Sequence, residues 1–413
     1  MDGNSSYINK QKVITYNSIS MFLWFISGFF SLSAVGSLFF SRIGFPYMPE
    51  VYFLPLFAFY KKTSIKLRKI TWGLTFFLFI EFCSIFLGII NTSGDIFNVV
   101  TCARPIVYIT LISYHFSRDD VASLPLDNVW MMCLGAQAGE FLGKYFTGSY
   151  SSINSIDHIN WLTMCLLIFI PTVRKNRKLT LISIMLGLIN AIFSFYRRIM
   201  SFYVVAIFIM IIYNSLKTKS WKRIIYVIPV CGFLYYIYRE LDMIMLKITS
   251  ILHVDYTMFE ARFISKFRAL FEHEITPSDQ VRYNTYDMIK SDFWKNIIPN
   301  GPIGKSVDII SYFGRYTDTP LTFLIDVFGS ILAIAIILFV GYKSLKSFLI
   351  SLFLDDLDET FIVCALMSPL LILSLFIDGA FLVHLNYAFV TGFCLSGYFY
   401  SNNKMRKVVS ISE

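Results

Sequence analysis

The residues of this chain that are equipped for chemistry are ionisable side chains set inside, or at the edges of, long apolar stretches. Arg104 lies well within the apolar stretch 96–116 and is followed by Pro105, which disturbs a helix locally. Glu140 and Lys144 stand four residues apart near one end of 126–147, a spacing that pairs them across one helical turn. Arg197 and Arg198 sit between two apolar stretches, Asp326 enters another, and Asp378 and His384 flank a short connection near the C-terminus. Glu81 is the deepest, near the middle of 70–90. An ionisable group inside a membrane span costs at least about 2.5–3.5 kcal/mol, so its default reading is functional. Together these residues outline a polar cavity lined with more arginine than acid. That sign suits an anion, because the planar guanidinium fork matches phosphate oxygens bidentately. Each also has a plainer reading. Arg197 and Arg198 read as a turn whose side chains snorkel to the interface, Glu140 and Lys144 as a structural ion pair, Asp378 as a turn residue and His384 as hydrogen-bonded packing.

The elements that must position these groups follow from composition. Of 413 residues, 56% are hydrophobic and only 15% are charged, with 42 Phe and 25 Tyr, whereas a soluble domain carries about 25% charged residues. Segments of about 20 mostly apolar residues recur along the whole length, as spanning a bilayer requires. The fold class expected is therefore an all-α polytopic membrane protein; a β-barrel calls for alternating segments of roughly 10 residues. The net charge of +9 does not point to nucleic acid. Its basic residues form short clusters beside apolar stretches, at Lys61–Lys69, Arg174–Lys178, Lys217–Arg223 and Lys404–Lys407, the pattern of cytoplasmic loops. The seven Cys are scattered with no CxxC or metal spacing and read as packing residues, so no metal or cofactor is expected.

Spans are expected at 17–40, 44–60, 70–90, 96–116, 126–147, 158–173, 179–196, 199–215, 224–238, 320–342, 360–377 and 381–401, about twelve with both termini in the cytoplasm. The first is too long for a signal-peptide core and lacks a clear cleavage site, so it stays as a helix. The span at 44–60 is interrupted by Pro46, Pro49, Glu50 and Pro55. The whole chain, 1–413, reads as a single integral membrane domain, with 239–319 as a polar loop subdomain on the outer face. In that loop Phe259, Phe263, Phe267 and Phe271 recur every four residues, an amphipathic helix with one aromatic face. A second helix is expected over 279–296, where Arg282, Tyr286, Ile289 and Phe293 share one stripe. The stretch Pro299 to Gly304 cannot continue a helix. No Walker-type loop, HExxH, DxD or GxSxG occurs where a nucleotide or metal enzyme needs it. The run Asp355 to Glu359 reads as a solvated acidic connection on the cytoplasmic side.

A many-spanning protein with one large outer loop late in the chain resembles the O-antigen polymerase and ligase superfamily. Three stretches carry the likeness. Phe193-Ser194-Phe195-Tyr196-Arg197-Arg198 opens a span as that family's Ser-Arg element does. Arg282-Tyr283-Asn284-Thr285-Tyr286, followed by Pro299 to Gly304, is similar to its arginine helix and glycine turn. Asp318-Thr319-Pro320-Leu321 with Gly329 resembles the place where a His-Asn or Asp-Asn pair enters a span. Ligases favour His there, so Asp318 tilts the reading toward polymerase. The resemblance implies a GT-C-like architecture in the bacterial inner membrane, with the active side periplasmic. It implies transfer of an oligosaccharide from undecaprenyl diphosphate to a sugar hydroxyl, without nucleotide sugar, cofactor or metal. Its partners are the lipid-linked oligosaccharide, membrane lipids and a chain-length regulator. On this reading Arg104, Arg197, Arg198 and Arg282 bind the diphosphate and stabilise the charge that develops on it. Asp318 is the general base, with Glu140 second. Tyr286, Gly301, Gly304, Arg315 and His384 belong to the loop and glycan side. A ligase acting on lipid A-core and a lipid-linked oligosaccharide flippase are the competing readings.

Overall fold

The computed structural model describes residues 18–33, 72–92, 94–118, 124–147, 160–193, 197–219, 277–291, 293–302, 320–377 and 384–406, with scattered positions at 35–43, 225–250 and 382. Among these residues every regular element is helical, apart from one isolated antiparallel bridge between Leu357 and Arg406. In chain order the helices are α1 (Ser18–Ser31), α2 (Trp72–Asn91), α3 (Ile96–Ser117), α4 (Leu126–Thr147), α5 (Trp161–Val173) and α6 (Arg177–Phe193). They continue with α7 (Arg197–Lys217), α8 (Pro277–Ser291), α9 (Pro320–Phe328), α10 (Ser330–Phe353), α11 (Glu359–Ile377) and α12 (Leu385–Ser396). Four helical segments are long and apolar enough to cross a membrane: Ile96–Ser117, Ile199–Lys217, Ser330–Phe353 and Glu359–Phe376. The expected span at 44–60 and the Phe259–Phe271 helix lie outside the described residues.

Chain packing divides the protein into two compact units, Met1–Ser64 with Ala122–Ser194, and Ile65–Val121 with Phe195–Glu413. In the first unit α1 and α4 touch backbone to backbone. A Cβ on Gly28 would stand 1.9 Å from the Met132 carbonyl oxygen, and one on Gly135 2.1 Å from that of Phe25. Gly139 makes the same approach to Phe29. Gly135 and Gly139 form a GxxxG pair, the small-residue spacing that lets helices close in where lipid offers no hydrophobic drive. Along α4, Gln137 gathers a buried polar network. Its Nε2 donates to Thr163 Oγ1 (2.8 Å) and to the Asn160 carbonyl (3.2 Å). Asn190 Nδ2 of α6 donates to Gln137 Oε1 (2.7 Å). Asn160 in turn caps α5 by accepting from Thr163 N–H. Three helices are thereby tied by hydrogen bonds between buried side chains.

The second unit shows the inverted amphipathicity of a membrane protein. Phe76, Phe79, Phe82, Phe86 and Ile90 of α2 are exposed at helical spacing, while Glu81, Ser84 and Gly88 on its other face are buried. In α10 the exposed side is Ile331, Ile334, Leu338, Tyr342, Leu345 and Leu349, and the buried side includes Ser330, Ala333, Ser344, Ser347 and Ser351. A water-facing helix would turn these faces round. Small buried residues allow close packing, as where α12 meets α3: Gly392 lies against Ile109 and Ile112, and its carbonyl accepts from Ser113 Oγ at 3.0 Å.

The stretch expected as one span, 320–342, is two helices. Gly329 has φ +78, a left-handed backbone that glycine adopts without strain, and separates α9 from α10. A Cβ there would stand 2.1 Å from the Ile297 carbonyl oxygen. The apolar helix consequently shifts to Ser330–Phe353. Sequence hydropathy runs smoothly through the break, so the correction comes from backbone geometry alone.

Candidate functional site

The two ends of the second unit are chemically distinct, and α3 connects them. Its 22 residues extend about 33 Å at ~1.5 Å per residue, against roughly 30 Å of bilayer hydrocarbon. At its C-terminal end Lys404 Nζ donates to the carbonyls of Phe116 and Arg118 and lies 4.5 Å from the Tyr400 ring. A lysine there also suits the negative end of the helix dipole. At the same end Lys217 pairs with Asp355 at 3.1 Å, Asp358 N–H donates to the Met405 carbonyl, and Asp358 Oδ1 caps α11. Asp355 to Glu359 is therefore fastened through Lys217 and Met405, while Asp355 and Asp356 stay exposed, as expected of a solvated acidic connection. The Asp358 cap is local, whereas Lys404 reaches the carbonyls of Phe116 and Arg118 across nearly 290 residues, which sequence spacing does not reveal.

The opposite end carries the described part of the polar segment, 277–302. Tyr286 Oη of α8 donates to the Phe376 carbonyl at the far end of α11, at 3.1 Å. Ser330, the first residue of α10, donates its N–H to the Asn296 carbonyl and its hydroxyl to the Phe293 carbonyl, both at 2.8 Å. Asn91 Nδ2, ending α2, donates to the Asn300 carbonyl at 2.8 Å. Gly301 N–H donates to the Asp326 carbonyl at 2.8 Å, and Asn300 Nδ2 lies 3.5 Å from Asp326 Oδ1. Gly301 has φ +92 and rests against Gly88 of α2; a Cβ on it would stand 2.3 Å from Gly88 N. The turn 293–302 is thus bolted to the end of α2, to α9 and to the α9–α10 break.

Among the residues singled out from sequence, the structure brings Gly301 against Asp326 and fixes Tyr286 on α11. Arg104 sits half-buried in α3, six residues from Thr110, or about 9 Å along the axis toward the end that carries the turn. Arg197 and Arg198 open α7, and Arg282 lies within α8, but their side chains lie outside the described residues. Asp318, Gly304, Arg315 and Asp378 lie outside them altogether, as does the side chain of Lys144. His384 is exposed at the N-cap position of α12 and makes no capping bond. Glu140 belongs to the first unit, where it is 2% exposed in α4, one turn from Gln137.

Sequence reasoning missed the Gln137–Asn190 network, the Asn91–Asn300 bond and the partner of Glu81. That partner is Thr110, whose hydroxyl donates to Glu81 Oε1 at 2.7 Å. Gly135 and Gly139 were readable from their spacing inside an apolar stretch; the others required the fold. Among the described residues no cluster of three His, Cys, Asp or Glu side chains is placed to hold a metal ion.

Fold and site together are those of a helical protein with four segments, among the described residues, long and apolar enough to cross a membrane, compatible with a helical membrane protein. Comparison of the chain with family models, with curated proteins and with solved structures finds no match.

Proposed function

We propose that the protein is a membrane glycosyltransferase that polymerises undecaprenyl-diphosphate-linked oligosaccharide units, acting at the outer face of the bacterial inner membrane. The observation that carries the reading is the seating of the turn 293–302 on the broken helix α9–α10, at the end of the unit remote from Lys404. A transferase acting on a lipid-linked substrate needs such an arrangement: a fixed polar surface at one membrane face, with helices beneath it for the lipid. The half-buried Arg104 supplies a cation within a span. Arg282, Arg197 and Arg198 add the further cations that the departing diphosphate requires as negative charge develops on it. The glycan passes to a hydroxyl of a second lipid-linked unit, and Asp318 takes the hydroxyl proton.

The test uses purified protein and lipid-linked repeat units in detergent, with glycan length as readout. Elongation without a vesicle requires a bond-forming enzyme. Arg282→Lys keeps the charge and loses the bidentate fork, so polymer formation is expected to fall by at least about tenfold at normal protein levels. Asp318→Asn is expected to lower the rate roughly 10²-fold or more. Full-length chains from the lysine variant remove Arg282 from the mechanism, and an unaffected asparagine variant moves the base to Glu140 or His384.

The α9–α10 break also favours a second reading, since discontinuous helices are how transporters build substrate sites. A flippase moves the lipid-linked unit across a vesicle membrane and forms no new glycosidic bond. The same purified assay separates the two.

A further inference from the structure

Glu81 is a carboxylic acid buried in the middle of an apolar helix and is not used by the proposed transfer. It is 2% exposed, and Ser84, one turn along, is 1% exposed. Phe77, Glu81, Ser84 and Gly88 fall on one stripe of α2. Both ends of that stripe touch the α9 side of the unit. The Phe77 ring lies 5.3 Å from the ring of Phe328, and Gly88 lies against Gly301 and Pro302. Glu81 and Ser84 are therefore enclosed between those two contacts. Thr110 closes the third side, donating to Glu81 Oε1 at 2.7 Å.

The bonding within this enclosure is incomplete. Glu81 Oε2 and Ser84 Oγ are fully buried and have no hydrogen-bond partner, not even each other. No Lys or Arg pairs with Glu81 among the described residues. A buried polar atom without a partner is rare and costly, and an uncompensated carboxylate inside a membrane is more so. A single species that bridges Oε2 and Oγ and carries one positive charge meets both demands.

We propose that Glu81, Ser84 and Thr110 form an intramembrane site for Na⁺, held beside the α9–α10 break by hard oxygen ligands. Carboxylate and hydroxyl oxygens suit such a hard cation, and broken helices are where membrane proteins place coupling ions. Occupancy joins α2 and α3 directly beneath the Gly301 turn, so the ion stiffens the seat of that turn. The site stands independently of the transfer reading, and its test uses no sugar substrate.

The experiment treats full-length protein in detergent with dicyclohexylcarbodiimide, which reacts with protonated carboxyls in apolar surroundings, and locates the adduct by peptide mass spectrometry. In K⁺ buffer Glu81 is expected to be labelled, and replacing K⁺ by Na⁺ at constant ionic strength is expected to slow labelling at least about tenfold. Ser84→Ala removes one ligand and is expected to raise the protecting Na⁺ concentration roughly tenfold, the equivalent of one bond to a charged group. Phe79→Leu, on the exposed side of α2, serves as control and leaves protection unchanged. Equal labelling of Glu81 in Na⁺ and K⁺ overturns the proposal in favour of a protonated acid with a bridging water. Absence of labelling in both salts, with other carboxyls modified, also overturns it.

Discussion

Gly301 shows at the residue scale how a backbone requirement and a packing requirement coincide. Its φ of +92 lies where a side chain is strained, and the space a Cβ would take is filled by Gly88 and the Ser84 carbonyl. Gly301→Ala is expected to cost about 2 kcal/mol or more, read as a lower melting temperature in detergent. Gly341→Ala provides the contrast: nothing lies within 4 Å of its Cβ position, so it is expected to melt with the parent protein or above it. Equal melting of the two variants would show that the turn is not seated on α2. The turn-forming character of Pro299 to Gly304 was legible in the sequence. That the glycine meets a second glycine on a helix more than 200 residues earlier was not, because the contact is non-local.

At the scale of elements, the sequence located helices well where one apolar run makes one helix, and less well where two share a run. The bounds expected at 126–147 and those of α4 (Leu126–Thr147) coincide as a helix, although α4 is not among the four segments apolar enough to cross a membrane. The run at 320–342 conceals two helices, since Gly329 is as compatible with an apolar stretch as any small residue. The α1–α4 pair lies between these cases. Gly135 and Gly139 announce a close helix contact, while the partner, α1 through Gly28, emerges only on folding. Gly139→Leu should separate these backbones and sharply reduce the yield of monodisperse protein in size-exclusion chromatography. A yield equal to the parent would remove the close approach from the account of this unit.

At the scale of the whole second unit, α2 and α10 turn an apolar face outward and small or polar residues inward, and the unit has two chemically different ends. One is fastened by Lys217 and Lys404, the other carries the turn 293–302. This arrangement makes a topological prediction. A cysteine placed at exposed Ile298 and one at exposed Asn402 should react with a membrane-impermeant maleimide from opposite sides of sealed vesicles. Labelling of both from the same side would overturn the reading of α3 as a crossing helix.

The membrane class, the helical composition and most helix positions were determined by the sequence alone, because the cost of burying a segment in lipid is summed over that segment's own residues. Tertiary structure decided what the polar groups inside the helices face. Glu81 meets Thr110, Asp326 meets the Asn300–Gly301 turn, and Gln137 meets Asn160 and Asn190, each through contacts between residues distant in the chain. A polar group in a dry interior must find its partner wherever packing brings one, and that choice belongs to the fold as a whole.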